Sequence, residues 1–395
     1  MTLTATTVGD GLLGGLDFRV GKSLQTAYGA VNTSPTFIPL RRKSGKTNKT
    51  ISYTTDEEVL SDYQGQQQIQ DSQELGCTIE ASMTKQSIDL MIEAMYAAES
   101  LLTNTGTTYA SLADGFTVTT TAYNGLSVGD VFWVSGFADA TISKAYIVAS
   151  KGASNKIVTT IAPPATESAG ASVTLISNKY KNANNAYYST LQTRATDLSK
   201  AGNLDYHTIY DAIPNACSFE IGETGIVSCT TEYVAEREVS GTAAISGQSY
   251  SSATTDAAVS AYSGVIGFYV NGLLASCKVK SLSGSIALNQ SADDAAACSK
   301  RYTRGAITVT GSLSVRSLKA APFTWRDYSW AGTRVSIGAL LSHGSGQETF
   351  IDFPRAVVNE NEMDDGNNAI ANSKASFACE GDATKAATMQ IFRNW

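Results

Sequence analysis

Alternating apolar and polar residues mark two stretches of the chain, and each stretch leads into a helix-like segment. In the first, GCTIEASM (residues 76–83), the alternation predicts a strand with one apolar face. That face comprises Cys77, Ile79, Ala81 and Met83. The next residues, 84–100, carry apolar side chains at helical spacing, and Thr84 is the predicted N-cap.

The second stretch, GAITVTGSLSVR (residues 305–316), follows the same plan. Its predicted apolar face comprises Ile307, Val309, Leu313 and Val315. It leads into AAPFTWRDYSWAG (residues 320–332), which predicts a short helix that begins at Pro322. A one-residue slip of either strand would turn its apolar side chains to water, so the pattern fixes the register.

Each stretch is followed later in the chain by a predicted pair of strands. The first pair lies within residues 216–236 and the second within residues 352–381, and a proline, Pro214 or Pro354, is interpreted as closely preceding each pair. The repeated order predicts two units, each a mostly antiparallel sheet with one helix packed on it.

Residues 105–178 break this plan. Short alternating runs are separated by Asn-Gly, Gly-Asp, Ser-Asn and Pro-Pro, which predicts a separate small all-β barrel or sandwich. The chain is therefore predicted to be mainly β, with two tandem β-sandwich or barrel units and an inserted small β domain. The predicted boundaries are an N-terminal segment 1–34, a discontinuous first unit 35–103 and 179–260, an insert 104–178, and a second unit 264–395.

The composition is that of a folded protein and limits its partners. Hydrophobic residues make up 43% of the 395 residues, charged residues 16%, and the net charge is −7. The densest basic run, Arg41 to Lys46, is interpreted as a solvated loop, so charge-driven binding of nucleic acid is disfavoured. No CxxC pair occurs, and the six cysteines are interpreted as small buried residues in a reducing compartment. No signal peptide or membrane-spanning run is predicted.

Catalytic or metal-binding chemistry is not indicated. Only two histidines occur: His343 is predicted to be an exposed turn residue, and His207 to pack or bond locally. The run GDGLLG (residues 9–14) matches GxGxxG but lacks the flanking strand and helix of a dinucleotide site. The acidic runs DDAAAC and NENEMDD are interpreted as loop charges.

Four stretches together resemble the tail tube proteins of long-tailed bacteriophages. The first, residues 51–95, combines a strand, a polar arm, a return strand and a helix. The others are LSVGDVFWVSGF (126–137) in the insert, the strand pair within residues 210–236, and the end of the chain from residue 348. The likeness lies in pattern and order, because none of the four is a sharp motif.

The resemblance implies a structural virion protein without enzymatic activity or cofactor. Such subunits stack as rings into a hollow tube around a tape-measure protein, and tail terminator and tail-tip proteins are further expected partners. Strands of neighbouring domains join edge to edge, and DNA passes through the lumen without specific binding. The expected place is the tail of the virion, assembled in the host cytoplasm without a membrane. A non-contractile tail is favoured, because the insert would decorate the outside where a sheath would otherwise lie.

Two finer expectations follow from the resemblance. Two tube units per chain predict rings of three chains with pseudo-sixfold walls, and six chains per ring is the alternative. The polar arm within residues 61–76 is expected to cross a subunit or ring boundary, and a plain surface loop is the alternative. The arm residues expected to make this contact are Asp62, Tyr63, Gln64, Gln66, Gln67, Gln68, Gln70 and Asp71.

Two other classes of function stay open at this point. Another self-assembling β protein, such as a surface-layer, fibre or decoration subunit, would share the composition. An enzyme acting on carbohydrate could use the insert as a binding module, with Trp133 or Tyr146 stacking on sugars.

Overall fold

The structure is a computed structural model that describes residues 19–55, 68–168, 172–196, 204–275, 279–293, 301–316, 325–364 and 372–395. It is mainly β, as predicted. The first part of the chain contains, in order, β1 (Arg19–Gln25), β2 (Thr36–Pro39), β3 (Ser44–Thr55), β4 (Gln68–Ser82), helix α1 (Lys85–Ala94) and β5 (Ala98–Ser100).

The remaining elements follow in three groups. The insert contains β6 (Thr103–Gly106), β7 (Ala110–Leu112), β8 (Gly115–Thr117), α2 (Thr120–Gly125), β9 (Val131–Ser135), a 3-10 turn (Ala140–Ile142), β10 (Ala145–Lys151), β11 (Lys156–Thr159) and β12 (Val173–Ile176). After it come β13 (Asn178–Lys181), β14 (Tyr188–Thr196), β15 (Leu204–Ile221), β16 (Ser228–Ala235), β17 (Arg237–Gly241) and β18 (Ser249–Tyr250). The last part contains β19 (Val265–Val270), β20 (Leu273–Leu274), β21 (Val279–Ala287), β22 (Ser291–Asp293), β23 (Arg301–Thr303), β24 (Thr308–Arg316), α3 (Trp325–Ala331), β25 (Arg334–Ser342), β26 (Glu348–Asp364), β27 (Asn372–Cys379) and β28 (Gln390–Arg393).

Two sheet units built on one plan form the frame of the protein. The first sheet unit has the antiparallel order β3-β4-β16-β15, and the second has the order β21-β24-β27-β26. In both, an early hairpin lies beside a later hairpin, so β3, β4, β15 and β16 correspond to β21, β24, β26 and β27. The helix that follows the early hairpin is α1 in the first unit and α3 in the second. The repeated plan inferred from the alternation is present in the topology.

The alternating strands present the faces that the sequence predicts. Cys77, Ile79, Ala81 and Met83 are all buried, as are Val309, Leu313 and Val315, while Ile307 is half-buried. Thr84 caps α1 as predicted, because its hydroxyl accepts a hydrogen bond from the Ser87 amide at 3.4 Å. The first unit closes a sandwich with the sheet β2-β1-β14-β15-β17, and its core includes Leu75, Leu191 and Ile209.

The insert has a sheet of its own with the order β6-β12-β9-β10-β11-β8-β7. Its core is aromatic: Phe116 contacts Tyr146 edge to face with 4.8 Å between ring centroids, and Phe132 lies 5.8 Å from Phe116. This core consists of side chains from the insert and Leu102, just before it. An all-β insert with its own alternation is therefore what these residues form.

Several local predictions are wrong, each for a physical reason. Pro214 and Pro354 do not precede strand pairs but lie inside β15 and β26, where the register shifts and a bulge tolerates the missing N–H. The run from Arg41 to Lys46 is not wholly a loop, since β3 begins at Ser44. By contrast, the predicted start of the second helix at Pro322 stays a prediction, because Pro322 lies outside the described residues and the described part of that helix begins at Trp325.

Aromatic and histidine side chains that were expected at the surface are buried. Trp133 and Tyr146 are 5% and 2% exposed, which removes the sugar-stacking role considered for them. His343 is only 4% exposed and lies edge to face against Trp395 at 5.1 Å. Its Nε2 lies 2.9 Å from the Thr349 hydroxyl, so the His343 ring packs in the interior rather than at the surface of the turn.

Gly311 lies beside Gly284 across β24 and β21, where aromatic rings cover both backbones. A Cβ on Gly311 would come within 2.4 Å of the Phe377 ring and 2.5 Å of the Ser283 carbonyl oxygen. We expect Gly311→Ala to lower the free energy of unfolding by about 1–3 kcal/mol in urea denaturation, because the strand backbone must shift. Gly241→Ala is the control, since no atom lies within 4 Å of that Cβ, and equal midpoints for the two variants would contradict the close approach.

His343 should make the protein sensitive to mild acid. Burial, with a smaller contribution from the charge of Lys85, lowers the pKa of His343 to about 4. The unfolded chain therefore binds a proton that the folded chain refuses, and stability falls as the pH drops from about 6.5 towards 4. We expect His343→Gln to flatten this slope in melting curves at stepped pH, whereas His207→Gln serves as the control. An unchanged slope in His343→Gln would contradict the assignment.

Candidate assembly interface

The two sheet units are joined edge to edge inside one chain. Six residues of β15, Ala216 to Ile221, pair antiparallel with Ala287 to Leu282 of β21. The joint makes one continuous sheet with the order β3-β4-β16-β15-β21-β24-β27-β26. Phe219 of the first unit lies parallel to Phe353 of the second, with 6.2 Å between ring centroids. The chain therefore contains one edge-to-edge contact between two units of the same plan.

Helix α1 lies between the cores of the two units. Its Leu90 belongs to the first unit's core, whereas Ile88 and Met91 pack in the core that also holds Leu313 and Phe353 of the second unit. No described residue of α1 other than Asp89 is exposed, because both sides of the helix are covered. The joint is thus sealed by backbone pairing and by apolar burial together.

The same sheet ends in two strand edges. In the described part of the chain, β3 pairs with β4 alone, and residues 358–364 of β26 pair with β27 alone. These are the edges that correspond to β21 and β15, the two strands of the joint. Unpaired strand edges favour the addition of another strand, so they are the candidate assembly interface.

One face of the continuous sheet is concave and carries small hydroxyl side chains, and we call it the polar face. It bounds a depression of about 540 Å³ and includes Ser218, Ser228, Thr230, Ser283, Ser285, Thr310, Ser312 and Ser376. Across the strands, Ser283 and Ser312 approach to 2.8 Å between hydroxyl oxygens. Glu220 lies among them and is exposed, so the face is polar without being basic.

The insert is fixed to the second unit by apolar and ionic contacts. Trp133 and Ile147 pack with Phe350 of β26 in a shared cluster. The Trp133 indole donates to Glu348 at 2.6 Å. These contacts give Trp133 a structural role that the sequence pattern did not indicate.

Two buried ion pairs lie at the borders of the insert, one within the second unit and one between the insert and β13. Lys385 Nζ lies 2.8 Å from Asp352 and also donates to the Gly129 carbonyl at 3.2 Å, and Lys179 lies 2.8 Å from Asp130. Burial raises the pKa of Asp352, and the Lys385 ammonium opposes that rise. No sequence motif marks these pairs, because their partners are far apart in the chain.

The predicted arm residues fall in two groups. Gln68, Gln70 and Asp71 lie in β4, where they extend the hairpin with β3, and Gln68 is exposed. Asp62, Tyr63, Gln64, Gln66 and Gln67 lie outside the described residues. The C-terminal half of the predicted arm, from Gln68, is therefore strand rather than loop, and the contact role of these residues stays a prediction.

The described His, Cys, Asp and Glu side chains include no group of three or more that could hold a metal ion. His207 lies 2.5 Å from Glu238, which itself contacts Lys49 at 3.2 Å, so this histidine bonds locally as predicted. Across the described ranges, no helix has the length and apolarity to cross a membrane.

A mainly β subunit with a long edge-joined sheet, open edges and a polar concave face has the architecture of a structural protein that assembles with its own kind. A family model described as "Phage tail tube protein" matches residues 15–384. The chain therefore belongs to the phage tail tube protein family, a structural and non-enzymatic family of the virion tail. A search of curated proteins found no match.

The buried pair of Lys385 and Asp352, which lies in the second unit beside the insert, should be essential for stability. We expect Lys385→Met to cost about 3–5 kcal/mol in urea unfolding at neutral pH, because Asp352 is left charged and unpaired. The loss should shrink as the pH falls, since protonation of Asp352 removes the buried charge. Lys156→Met breaks the exposed Lys156–Asp114 pair of 2.7 Å and should cost less than about 1 kcal/mol. Equal losses would contradict the role of burial.

Proposed function

We propose that copies of this chain join through β26 of one subunit and β3 of the next, closing a ring that stacks into the tail tube. The observation that carries this proposal is the internal joint, in which β15 pairs with β21. The strands at the two open edges hold the corresponding places in the repeated plan. Antiparallel pairing of residues 358–364 with β3 of a neighbour would therefore repeat a contact that the chain already makes.

Helix α3 supports the same contact. Its counterpart α1 is covered on both sides because it lies over the internal joint. In α3, which packs beside β26, Trp330 is 73% exposed and Ala331 is also exposed. A neighbouring first unit paired to β26 would cover this surface, just as the second unit covers α1.

A ring of three chains follows from two units per chain. Each chain would supply two four-stranded segments to a wall of six similar segments, with true threefold symmetry because the segments differ in sequence. A ring of six chains is the alternative. The domain limits that go with this proposal are a first tube unit of 35–103 and 179–260, an insert of 104–178 and a second tube unit of 264–395.

The polar face is the candidate lining of the channel. Hydroxyl side chains predominate on this face, with carboxylates such as Glu220 and Glu232 among them and exposed lysines at 46 and 374 on outer strands. Cations in such scattered places form no continuous row, so DNA would slide without being held. The insert packs on β25, β28 and Phe350 of β26, outside the part of β26 that pairs with β27 in this sheet, which favours an outward position and a non-contractile tail. A tape-measure protein inside the tube, terminator and tip proteins at its ends, and assembly in the host cytoplasm complete the proposal.

Electron microscopy of the purified protein tests the proposal most simply. We expect hollow tubes of uniform diameter, because ring closure fixes the number of strands in the wall. Flat sheets, fibres without a channel, or isolated knobs would favour a surface-layer, fibre or decoration subunit and reject the tube.

A closed hairpin tests whether the predicted arm acts in assembly. Thr55 and Gln68 are paired, so replacing residues 56–67 with Asn-Gly should close a two-residue turn without disturbing β3 or β4. We expect a folded, soluble subunit whose tube yield is sharply reduced. A Gly/Ser segment of the native length is the control that separates sequence from length. Normal tubes from the Asn-Gly variant would return the arm to the status of a surface loop.

A further inference from the structure

The hairpin of the second unit continues past the sheet and reaches across the internal joint. We call residues 288–307 the second-unit extension. The Leu288 amide donates to the Asn215 carbonyl at 3.0 Å, and the Gln290 side chain donates to the Tyr96 hydroxyl at 3.0 Å. The extension is therefore seated on the first unit, beside the bulge at Pro214.

Cations of the second-unit extension meet an acidic and aromatic surface. The Arg304 guanidinium lies 4.2 Å from the centre of the Tyr96 ring, and Arg301 lies 3.9 Å from the Glu236 carboxylate. The segment 288–307 contains Lys300, Arg301 and Arg304 against two carboxylates, so it is net positive. Opposite charges thus accompany the strand pairing at this joint.

The hairpin of the first unit also continues past its sheet, and we call residues 51–73 the first-unit extension. The β3–β4 pairing persists beyond the last β16 contact at Leu75, from Ile51 paired with Gln73 to Thr55 paired with Gln68. Ile51 and Tyr53 are 36% and 56% exposed on this ribbon. The segment 51–73 has no Lys or Arg and contains Asp56, Glu57, Glu58, Asp62 and Asp71.

The second unit has a surface that corresponds in position to the first-unit surface on which the second-unit extension lies. Three pairs of residues hold corresponding positions in the first and second units. Asn215 and Arg355 follow the proline at the bulge, and Glu236 and Glu380 follow the last strand of the later hairpin. Tyr96 and Arg334 follow the helix. In the second unit this surface borders a cavity of about 660 Å³ between β25, β26 and the insert. Ile147, Tyr269 and Phe350 supply its apolar walls.

The side chains at this surface of the second unit carry the opposite charge to those at the corresponding surface of the first unit. The guanidinium groups of Arg334 and Arg355 approach the single carboxylate of Glu380 at 3.2 and 3.1 Å. Two cations against one anion leave the cluster of Arg334, Arg355 and Glu380 net positive, while the Lys385–Asp352 pair and Asp382 also line the cavity. Where the first unit presents Glu236 and Tyr96 to a basic extension, the second unit presents two arginines.

We propose that the acidic first-unit extension of one copy docks on the Arg334–Arg355 surface of the next copy and lies against the cavity beside the insert. This inference rests on the proposed ring, in which β3 of one subunit pairs with β26 of its neighbour. The internal joint joins a basic extension to an acidic surface, and the joint between subunits joins an acidic extension to a basic surface. The inversion discourages either extension from binding the wrong unit, and so keeps the units alternating around the ring.

Charge reversal of the receiving surface tests the docking. We expect the double variant Arg334→Glu, Arg355→Glu to stay folded, since both side chains are partly exposed, and to lose tube yield about tenfold or more by sedimentation. Lys144→Glu, an exposed reversal on the insert, is the matched control and should assemble normally. Adding Asp56→Lys, Glu57→Lys and Glu58→Lys to the double variant should restore assembly. Normal tubes from the double variant would overturn the docking and leave the ring proposal standing.

Photo-crosslinking identifies the occupant of the surface directly. With benzoylphenylalanine in place of Tyr53, mixed light and heavy chains should give adducts between different chains, with the partner peptide near Arg334 or Arg355. Adducts near Tyr96 or Glu236 of another chain, or adducts within one chain alone, would overturn the proposal. A wild-type protein that forms no tubes would instead reject the proposed function itself.

Discussion

An unpaired edge of a β-sheet carries a row of N–H and C=O groups that must bind water or another strand, and this constraint organises the whole subunit. The protein meets it once within the chain, where β15 pairs with β21, and seals the pairing with Phe219, Phe353 and helix α1. Because the plan is repeated, the joined sheet ends in β3, which corresponds to β21, and in β26, which corresponds to β15. A subunit that ends in complementary edges is suited to ring closure, because closure alone removes edges completely.

Placement of polar and apolar groups follows from the same sheet. One face packs against helices and second layers, whereas the polar face keeps hydroxyl groups such as Ser283 and Ser312 at the surface. The glycines at 284 and 311 let aromatic rings lie flat on the backbone at the centre of the joined sheet. The insert is held away from this sheet by a cluster at Trp133 and Phe350 and by the hydrogen bond from Lys385 to the Gly129 carbonyl.

The sequence predicted the elements better than their connections. Alternation in residues 76–83 and 305–316 indicated the correct faces, because burial of a strand face imposes a period of two residues. The bulges at Pro214 and Pro354 were missed, since a bulge changes pairing without changing composition. His343 was assigned to the surface because the Gly-rich turn around it resembles an exposed loop, although its ring is packed against Trp395.

The candidate interface depended on contacts between distant residues and was mostly out of reach of the sequence. Pairing of β15 with β21 joins residues 61 to 71 positions apart without a charged or aromatic motif. One signal was present, namely the acidic hairpin segment 51–73 against the basic segment 288–307, and it gains meaning only once the two hairpins are seen to correspond. The Arg334 and Arg355 cluster could not be found in advance, because Glu380 brings the two together from separate strands.

A helical reconstruction of the assembled tube, at a resolution that separates strands, would show directly how neighbouring subunits join. We expect three chains per ring, with residues 358–364 of each chain paired antiparallel to β3 of the next and the polar face lining the channel. Six complete chains per ring, or a wall in which β26 and β3 of neighbouring chains do not pair, would contradict this expectation.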